Sequence, residues 1–258
     1  KGLLGTNVRK EKRQAIAAST NGGLIVERIY ALSNSKNPIN PPAEIDARRE
    51  VWGNFAGATL TYRDFLTFDA TIRNDQSSTL PKGDNSYWYP SASLGFTFSR
   101  LIPTVDWLSY GKFRANYAQV GNDAAPYSTA DIYNIGVPFG SAPISSVSGT
   151  AANPTLRPER TKSYEFGLEM AFIKNRLGFD ITYYDAKTFD QIFAVPISTS
   201  TGYNSKFLNA GNVRNKGIEL SMNGVPVKTR DFPWTVNLNW TRNRNKVEEL
   251  TEGIDNIV

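Results

Sequence analysis

The sequence predicts an all-β fold, namely an antiparallel transmembrane β-barrel of which this chain forms a part. Three observations predict it: apolar and polar residues alternate along many segments, short and long connections take turns, and aromatic residues gather near segment ends. A tilted strand of about 9–11 residues is long enough to cross a bilayer. We expect about nine such strands, with short periplasmic turns on one side and long extracellular loops on the other.

The amino-acid composition fits a barrel and excludes several other classes. Mean hydropathy is −0.39, and no run approaches the roughly 18 apolar residues of a membrane helix. The 258 residues include no Cys and no His, which excludes disulfides, thiolate metal sites and Ser-His-Asp catalysis. We therefore expect no enzyme activity, no catalytic residue, no metal and no cofactor. The net charge of +5 is spread along the chain and gives no reason to expect nucleic-acid binding.

Period-2 alternation is clearest over 65–73, where Leu66 and Phe68 face one way and Asp69 and Arg73 the other. Similar strands are expected over 91–99 and from near residues 113, 164, 177, 218 and 234, with less regular ones over 3–18 and 51–63. Short helical turns fit 43–50 and 101–110. The polar residues expected to face a water-filled lumen are Asp69, Arg73, Arg114, Glu165, Glu169, Asp180, Glu219, Asn237 and Asn239.

The connections divide into two kinds that alternate along the chain. Short ones are expected at 63–64, 101–111, 174–176 and 225–233, and long ones rich in turn-forming residues at 74–89, 121–161 and 188–211. Outer-membrane barrels show this asymmetry between their two sides. A soluble β-sandwich also has alternating strands, and it remains the main alternative at this level of reasoning.

Five segments in order carry a resemblance to a known family. They read RNDQSS at 73–78 followed by YPS at 89–91, KFRANYAQVGND at 112–123, NPTLRPERTKSYEFG at 153–167, NAGNVRNKGIEL at 209–220 and WTVNLNWTRNRNKV at 234–247. This series resembles the barrel region of TonB-dependent outer-membrane transporters, most closely the SusC/RagA group of Bacteroidetes. Each motif alone is weak, the five together are specific, and the match is vague before residue 51.

The resemblance implies that residues 1–258 form part of one barrel domain of about 22 strands in the outer membrane. The plug domain and the TonB-contacting segment would lie outside this chain. It further implies TonB-dependent import of an oligosaccharide or a peptide, with a SusD-like surface lipoprotein as a lid. A siderophore or cobalamin importer and a passive porin-like barrel remain alternatives. Candidate loop contacts to the substrate or lid are Tyr127, Tyr133, Phe139, Phe193 and Tyr203.

Several motif residues have a simpler, structural interpretation. Gly211 and Gly217 suit a bend or bulge, and Pro154 and Pro158 suit an extended entry into the following strand. Arg73 and Asp75 suit an ion pair that stabilises a loop.

Overall fold

The computed structural model describes residues 1–103, 105–136 and 138–250. Nine long strands form one antiparallel sheet in which each strand pairs with its neighbours in the chain. This is the predicted architecture, with the predicted strand number. The strands are β1 (Gly2–Ala17), β2 (Ala43–Tyr62), β3 (Leu66–Ser77), β4 (Ser86–Phe96), β5 (Leu108–Asn122), β6 (Glu159–Phe172), β7 (Leu177–Phe189), β8 (Asn212–Lys228) and β9 (Pro233–Glu249).

The register of the sheet separates two faces. Leu168 of β6 lies opposite Phe113 of β5 and Ile181 of β7, and the adjacent Gly167 lies opposite Arg114 and Thr182. Because side chains alternate along every strand, one such row fixes the face of all the others. We call the face of Leu168 the apolar face and the face of Gly167 the polar face.

Tight turns join the strands at one edge of the sheet. Arg63 and Asp64 both have positive φ, of 45° and 55°, in a three-residue turn, 63–65, where the N–H of Phe65 donates to the carbonyl oxygen of Tyr62 at 3.3 Å. A second tight turn follows β6, where the backbone N–H of Arg176 donates to the carbonyl oxygen of Phe172 at 3.0 Å. A third closes between β8 and β9, where the N–H of Thr229 donates to the carbonyl oxygen of Phe232 at 3.2 Å. The short connections predicted at 63–64 and 174–176 are therefore confirmed to within one residue, whereas the one predicted at 225–233 is only 229–232, because β8 extends to Lys228, and the one predicted at 101–111 ends before β5 begins at Leu108.

The opposite edge carries the long loops, which hold small sheets of their own. Ile192–Pro196, Ser205–Asn209 and Thr150–Ala151 form one three-stranded sheet, and Tyr133–Ile135 pairs with Ser145–Val147. β4 pairs with β5 only from Ser91 inward, and Pro90, the next residue outward, has no N–H to donate. The outer part of β4 is thus free to pack against loop residues.

Three local expectations about strand ends were wrong, and so was the helical turn expected over 101–110, whose described residues form a turn and then the start of β5 at Leu108. Residues 43–50 are not a helical turn but the start of β2, because they pair with β1 in unbroken register. The strand expected to reach residue 99 ends at Phe96 and is followed by a 3₁₀ turn, Phe98–Arg100. The connection expected at 74–89 is shorter, since β3 extends to Ser77 and β4 begins at Ser86. In all three places the strand ladder, and not local propensity, sets the boundary.

Burial is concentrated in the loop region and not in the sheet. Leu80, Tyr87, Ala124 and Leu156 form a buried cluster, which we call the outer core, and Leu156 is 0% exposed. By contrast, Leu238 on the apolar face is 54% exposed. Within the described ranges, no helix is long and apolar enough to cross a membrane.

Candidate functional site

The nine polar residues predicted to share a face do so. The register carries one polar row from Asp69 through its partners on β4 and β5 to Glu165, and onward to β7, β8 and β9. The shared row places the following residues on the polar face: Asp69, Arg73, Arg114, Glu165, Glu169, Asp180, Glu219, Asn237 and Asn239.

Arg114 is the centre of a network that spans three strands. Its Nη2 donates to both carboxylate oxygens of Asp180, at 2.7 and 2.9 Å, and its Nη1 donates to Glu169 at 3.3 Å. To reach β7 from β5, the side chain crosses β6 at Gly167. A Cβ atom at Gly167 would lie 2.8 Å from Nη2 of Arg114, so any larger residue there would make the guanidinium move from this crossing.

Arg73 makes a second crossing of the same kind. Its Nε lies 2.7 Å from Oδ1 of Asp75, which confirms the predicted ion pair. Its Nη2 passes β2 at Gly53 and donates to Oδ1 of Asn7 on β1 at 2.9 Å. A Cβ atom at Gly53 would overlap with that Nη2. Arg73 therefore links β3 to β1 across β2 and has fewer donors left for a ligand.

The remaining polar-face residues differ in how far they are engaged. Asp69 accepts a hydrogen bond from Thr59 Oγ1 at 2.5 Å, and Asn239 accepts one from Ser221 Oγ at 2.9 Å. Of these nine polar-face residues, three make no side-chain hydrogen bond or ion pair within the described part of the chain and keep their polar groups available: Glu165, Glu219 and Asn237.

Asp123 is a buried carboxylate that the sequence did not single out. Its side chain is 1% exposed, and its Oδ1 lies 2.5 Å from Nη2 of Arg49. Nε of Arg49 donates to Oδ2 at 3.0 Å, and Ser77 donates a short hydrogen bond to the same oxygen. These contacts join β2, β3 and the end of β5 above the sheet. The only sequence signal was its position as the last residue of KFRANYAQVGND.

Tyr87 lies in the outer core beside this ion pair. Burial raises the pKa of its phenol above the ordinary value, and the negative charges of Asp123 and Asp75 raise it further. The phenol is therefore neutral at physiological pH. Its ring packs against that of Tyr89, with 4.9 Å between the ring centroids.

Two of the recognised motifs bind each other. Asn209 of NAGNVRNKGIEL donates from Nδ2 to the carbonyl oxygen of Arg157 at 2.7 Å and accepts from its N–H at 2.9 Å. Asn153 of NPTLRPE in turn donates to the carbonyl oxygen of Phe207 at 2.9 Å. Gly211, with a φ of +96°, supplies the bend predicted for it. These asparagines fasten the loops 123–158 and 190–211 together.

The five loop aromatics occupy different settings. Tyr127 donates from its hydroxyl to the carbonyl oxygen of Asp46 at 2.9 Å, and Phe193 lies in a loop strand opposite Leu208. Tyr203 is half-buried. Tyr133 and Phe139 are 70% and 80% exposed on residues 133–136 and 138–147, which we call the outer hairpin. In the described ranges, no group of three acids is placed to hold a metal ion.

The chain is similar to known proteins of one family. The family model described as "TonB dependent receptor-like, beta-barrel" matches residues 17–256. The chain belongs to the TonB-dependent receptor β-barrel family. TonB-dependent receptor P3 of Formosa agariphila is 31% identical over 78% of this chain and 21% of its own length. TonB-dependent receptor SusC of Bacteroides thetaiotaomicron is 31% identical over 76% of this chain and 20% of its own length.

Solved structures agree with this family. The RagAB peptide transporter superposes with a TM-score of 0.82, at 26% identity, over 98% of this chain and 28% of that chain. The siderophore receptor PirA from Pseudomonas aeruginosa reaches 0.52 at 19% identity, over 78% of this chain and 36% of that chain, which shows a shared fold alone. This TonB-dependent receptor chain is an outer-membrane β-barrel segment that spans about a fifth of the length of the curated relatives it matches.

Proposed function

We propose that this chain is part of the wall and outer loops of a receptor that imports an oligosaccharide or a peptide, energised through TonB. The observation that carries the proposal is the combination of 31% identity to SusC with the RagAB TM-score of 0.82, against 0.52 for a siderophore receptor. The TonB-contacting segment and the plug would belong to other parts of the full-length protein. In this proposal the barrel transports its substrate without chemical change and is not an enzyme.

The polar face supports the proposal, because it suits a wet lumen that admits a hydrated substrate. Arg114 and Arg73 mainly connect strands there, because their guanidinium N–H groups already contact Asp180, Glu169, Asp75 and Asn7. We propose that substrate or plug instead meets the residues with unused polar groups: Glu165, Glu219 and Asn237.

The outer hairpin supports the proposal of a lipoprotein lid. Tyr133, Ile135 and Phe139 are 70%, 91% and 80% exposed on it, and such a cluster of large apolar side chains is typical of an interaction surface. Aromatic residues are the usual anchors of protein interfaces. We propose that this hairpin contacts a SusD-like partner.

A growth experiment tests the transport proposal. Deletion of the full-length gene should abolish growth on one class of oligosaccharide or peptide and leave growth under iron limitation unchanged. A defect confined to iron-complex uptake would instead identify a siderophore importer. Uptake that persists in cells lacking TonB would identify a passive porin.

The lid contact is tested in the full-length protein with Tyr133→Ser combined with Phe139→Ser. This double variant should recover less of its lipoprotein partner on purification. Tyr30→Ser is the matched control, because Tyr30 is also an exposed loop aromatic but lies outside the outer hairpin. Equal recovery of the partner by both variants would contradict the lid contact.

A further inference from the structure

The apolar face carries a groove lined by three cations near the outer ends of β8 and β9. Lys216, Arg242 and Arg244 surround a space of about 240 Å³, together with Tyr183 and Ile218. We call this the basic groove. Its three cations come from two neighbouring strands, so their spacing is fixed by the sheet.

The register shows that these cations belong to the apolar face. Arg242 lies opposite Ile218, and Arg244 lies opposite Lys216. One step inward on the same face, Leu220 pairs with Trp240. The face therefore changes from apolar to strongly basic within one or two rows, on the side of the long loops.

The nearby acids are already engaged by other cations. Asp185 accepts a hydrogen bond from Nε of Arg214 at 2.8 Å, and Glu248 lies 2.6 Å from Nζ of Lys187. Asp185 is the cross-strand neighbour of Lys216, but its oxygens are bound by Arg214. Among the described residues, no acid lies within salt-bridge distance of the three cations of the basic groove.

We propose that the basic groove binds the phosphate-bearing headgroup of an anionic glycolipid in the outer leaflet. This inference rests on the proposed function only in assigning the apolar face to lipid and the polar face to the lumen. Guanidinium groups bind phosphate through paired N–H donors, and basic clusters at a membrane boundary attract anionic headgroups. A molecule with an anionic head and apolar tails matches both the basic groove and the Leu220–Trp240 row beneath it.

The experiment measures lipid retention by the purified full-length protein in phosphatidylethanolamine nanodiscs, using native mass spectrometry. The probes are phosphorylated lipid A and its dephosphorylated counterpart. Wild-type protein should retain the phosphorylated lipid preferentially. The triple variant Lys216→Gln, Arg242→Gln, Arg244→Gln should lose affinity by roughly fivefold for each charge removed. The single variant Arg242→Gln provides a milder change in case the triple variant folds poorly.

The matched control removes three exposed cations from the tight turns, with Arg63→Gln, Lys174→Gln and Arg176→Gln, and should retain the phosphorylated lipid as wild type does. Equal retention of both lipids by wild type, or equal retention by wild type and the groove variants, would overturn the proposal. Displacement of the lipid by millimolar inorganic phosphate would overturn it in favour of a soluble anion site. Lipid retention is measured without import. A negative result would therefore refute the lipid proposal alone, and the growth experiment would still test the transport proposal separately.

Discussion

Replacing Leu156 by alanine should open the outer loops and leave the sheet intact. Leu156 is 0% exposed and packs with Leu80, Tyr87 and Ala124, which come from three different parts of the chain. Leucine-to-alanine changes at such sites cost about 2–5 kcal/mol, through lost burial and the cavity that remains. We take about 3 kcal/mol, because loop residues around the site can partly collapse into the space.

A loss of this size has a measurable local consequence. Since about 1.4 kcal/mol is a factor of ten in an equilibrium constant, the open state of the outer core should become roughly 100-fold more populated. Hydrogen exchange of the full-length protein in detergent should show this acceleration at amides of 78–85 and 123–158. The amides of Leu168 and Ile181 should not change, because ladder hydrogen bonds and not the outer core hold β6 and β7.

Leu101→Ala is the control for this experiment, since Leu101 is an exposed leucine in a connection on the opposite edge. It should alter exchange in the loops by less than about threefold, as exposed substitutions do. The reasoning is refuted if Leu156→Ala accelerates loop exchange by less than tenfold. It is refuted equally if the amides of β6 and β7 accelerate along with the loops, because the outer core and the sheet would then unfold as one unit.

Three further changes test other parts of the structure. Asp123→Ala leaves Arg49 without its buried partner and should cost about 3 kcal/mol, seen as faster thermolysin cleavage within 123–158; an unchanged rate would contradict the ion pair's role. Leu238→Arg should destabilise folding into vesicles by about 2–4 kcal/mol while Asn239→Arg on the polar face has little effect, and equal effects in urea titration would contradict the assignment of faces. The raised pKa of Tyr87 means that the folded state holds the phenol proton more tightly than the unfolded chain, so loop stability should be constant below about pH 10 and fall above it. Tyr87→Phe should remove this alkaline loss, as measured by proteolysis after a brief alkaline pulse; the same loss in both proteins would show that another group titrates.

The sequence was sufficient to predict the two faces of the sheet but not the contacts across it. A period of two is a local property, so Leu168 and Glu169 can be assigned to opposite faces without knowing which strand lies beside them. The bond from Arg114 to Asp180 joins residues 66 positions apart. It depends on the register of three strands and on the glycine at position 167, and no local pattern reports either.

The contacts between the loops could not be predicted from the sequence, for a related reason. Asn153 and Asn209 belong to motifs that the sequence analysis identified. Their role in joining the loops comes from hydrogen bonds to backbone groups of Phe207 and Arg157, which lie far away in the sequence. Asp123 was missed because an acid in a Gly-Asn-Asp stretch is typical of any exposed loop. Only the approach of Arg49 and Ser77 from two other strands turns it into a buried partner.

The sheet and the outer core depend largely on different contacts. On the apolar face, residues such as Leu238 are exposed and, in the proposed function, face lipid, so the sheet does not need the loops to bury its side chains. The loops have their own buried leucine, Leu156, and the ion pair of Asp123 with Arg49 fastens them to β2. Because the exposed side chains of the outer hairpin belong neither to the ladder nor to the outer core, the outer hairpin can change its sequence without disturbing the ladder beneath it. A change at Leu156 or Asp123 would instead displace the whole set of loops, and with it the surface that we propose meets the lid.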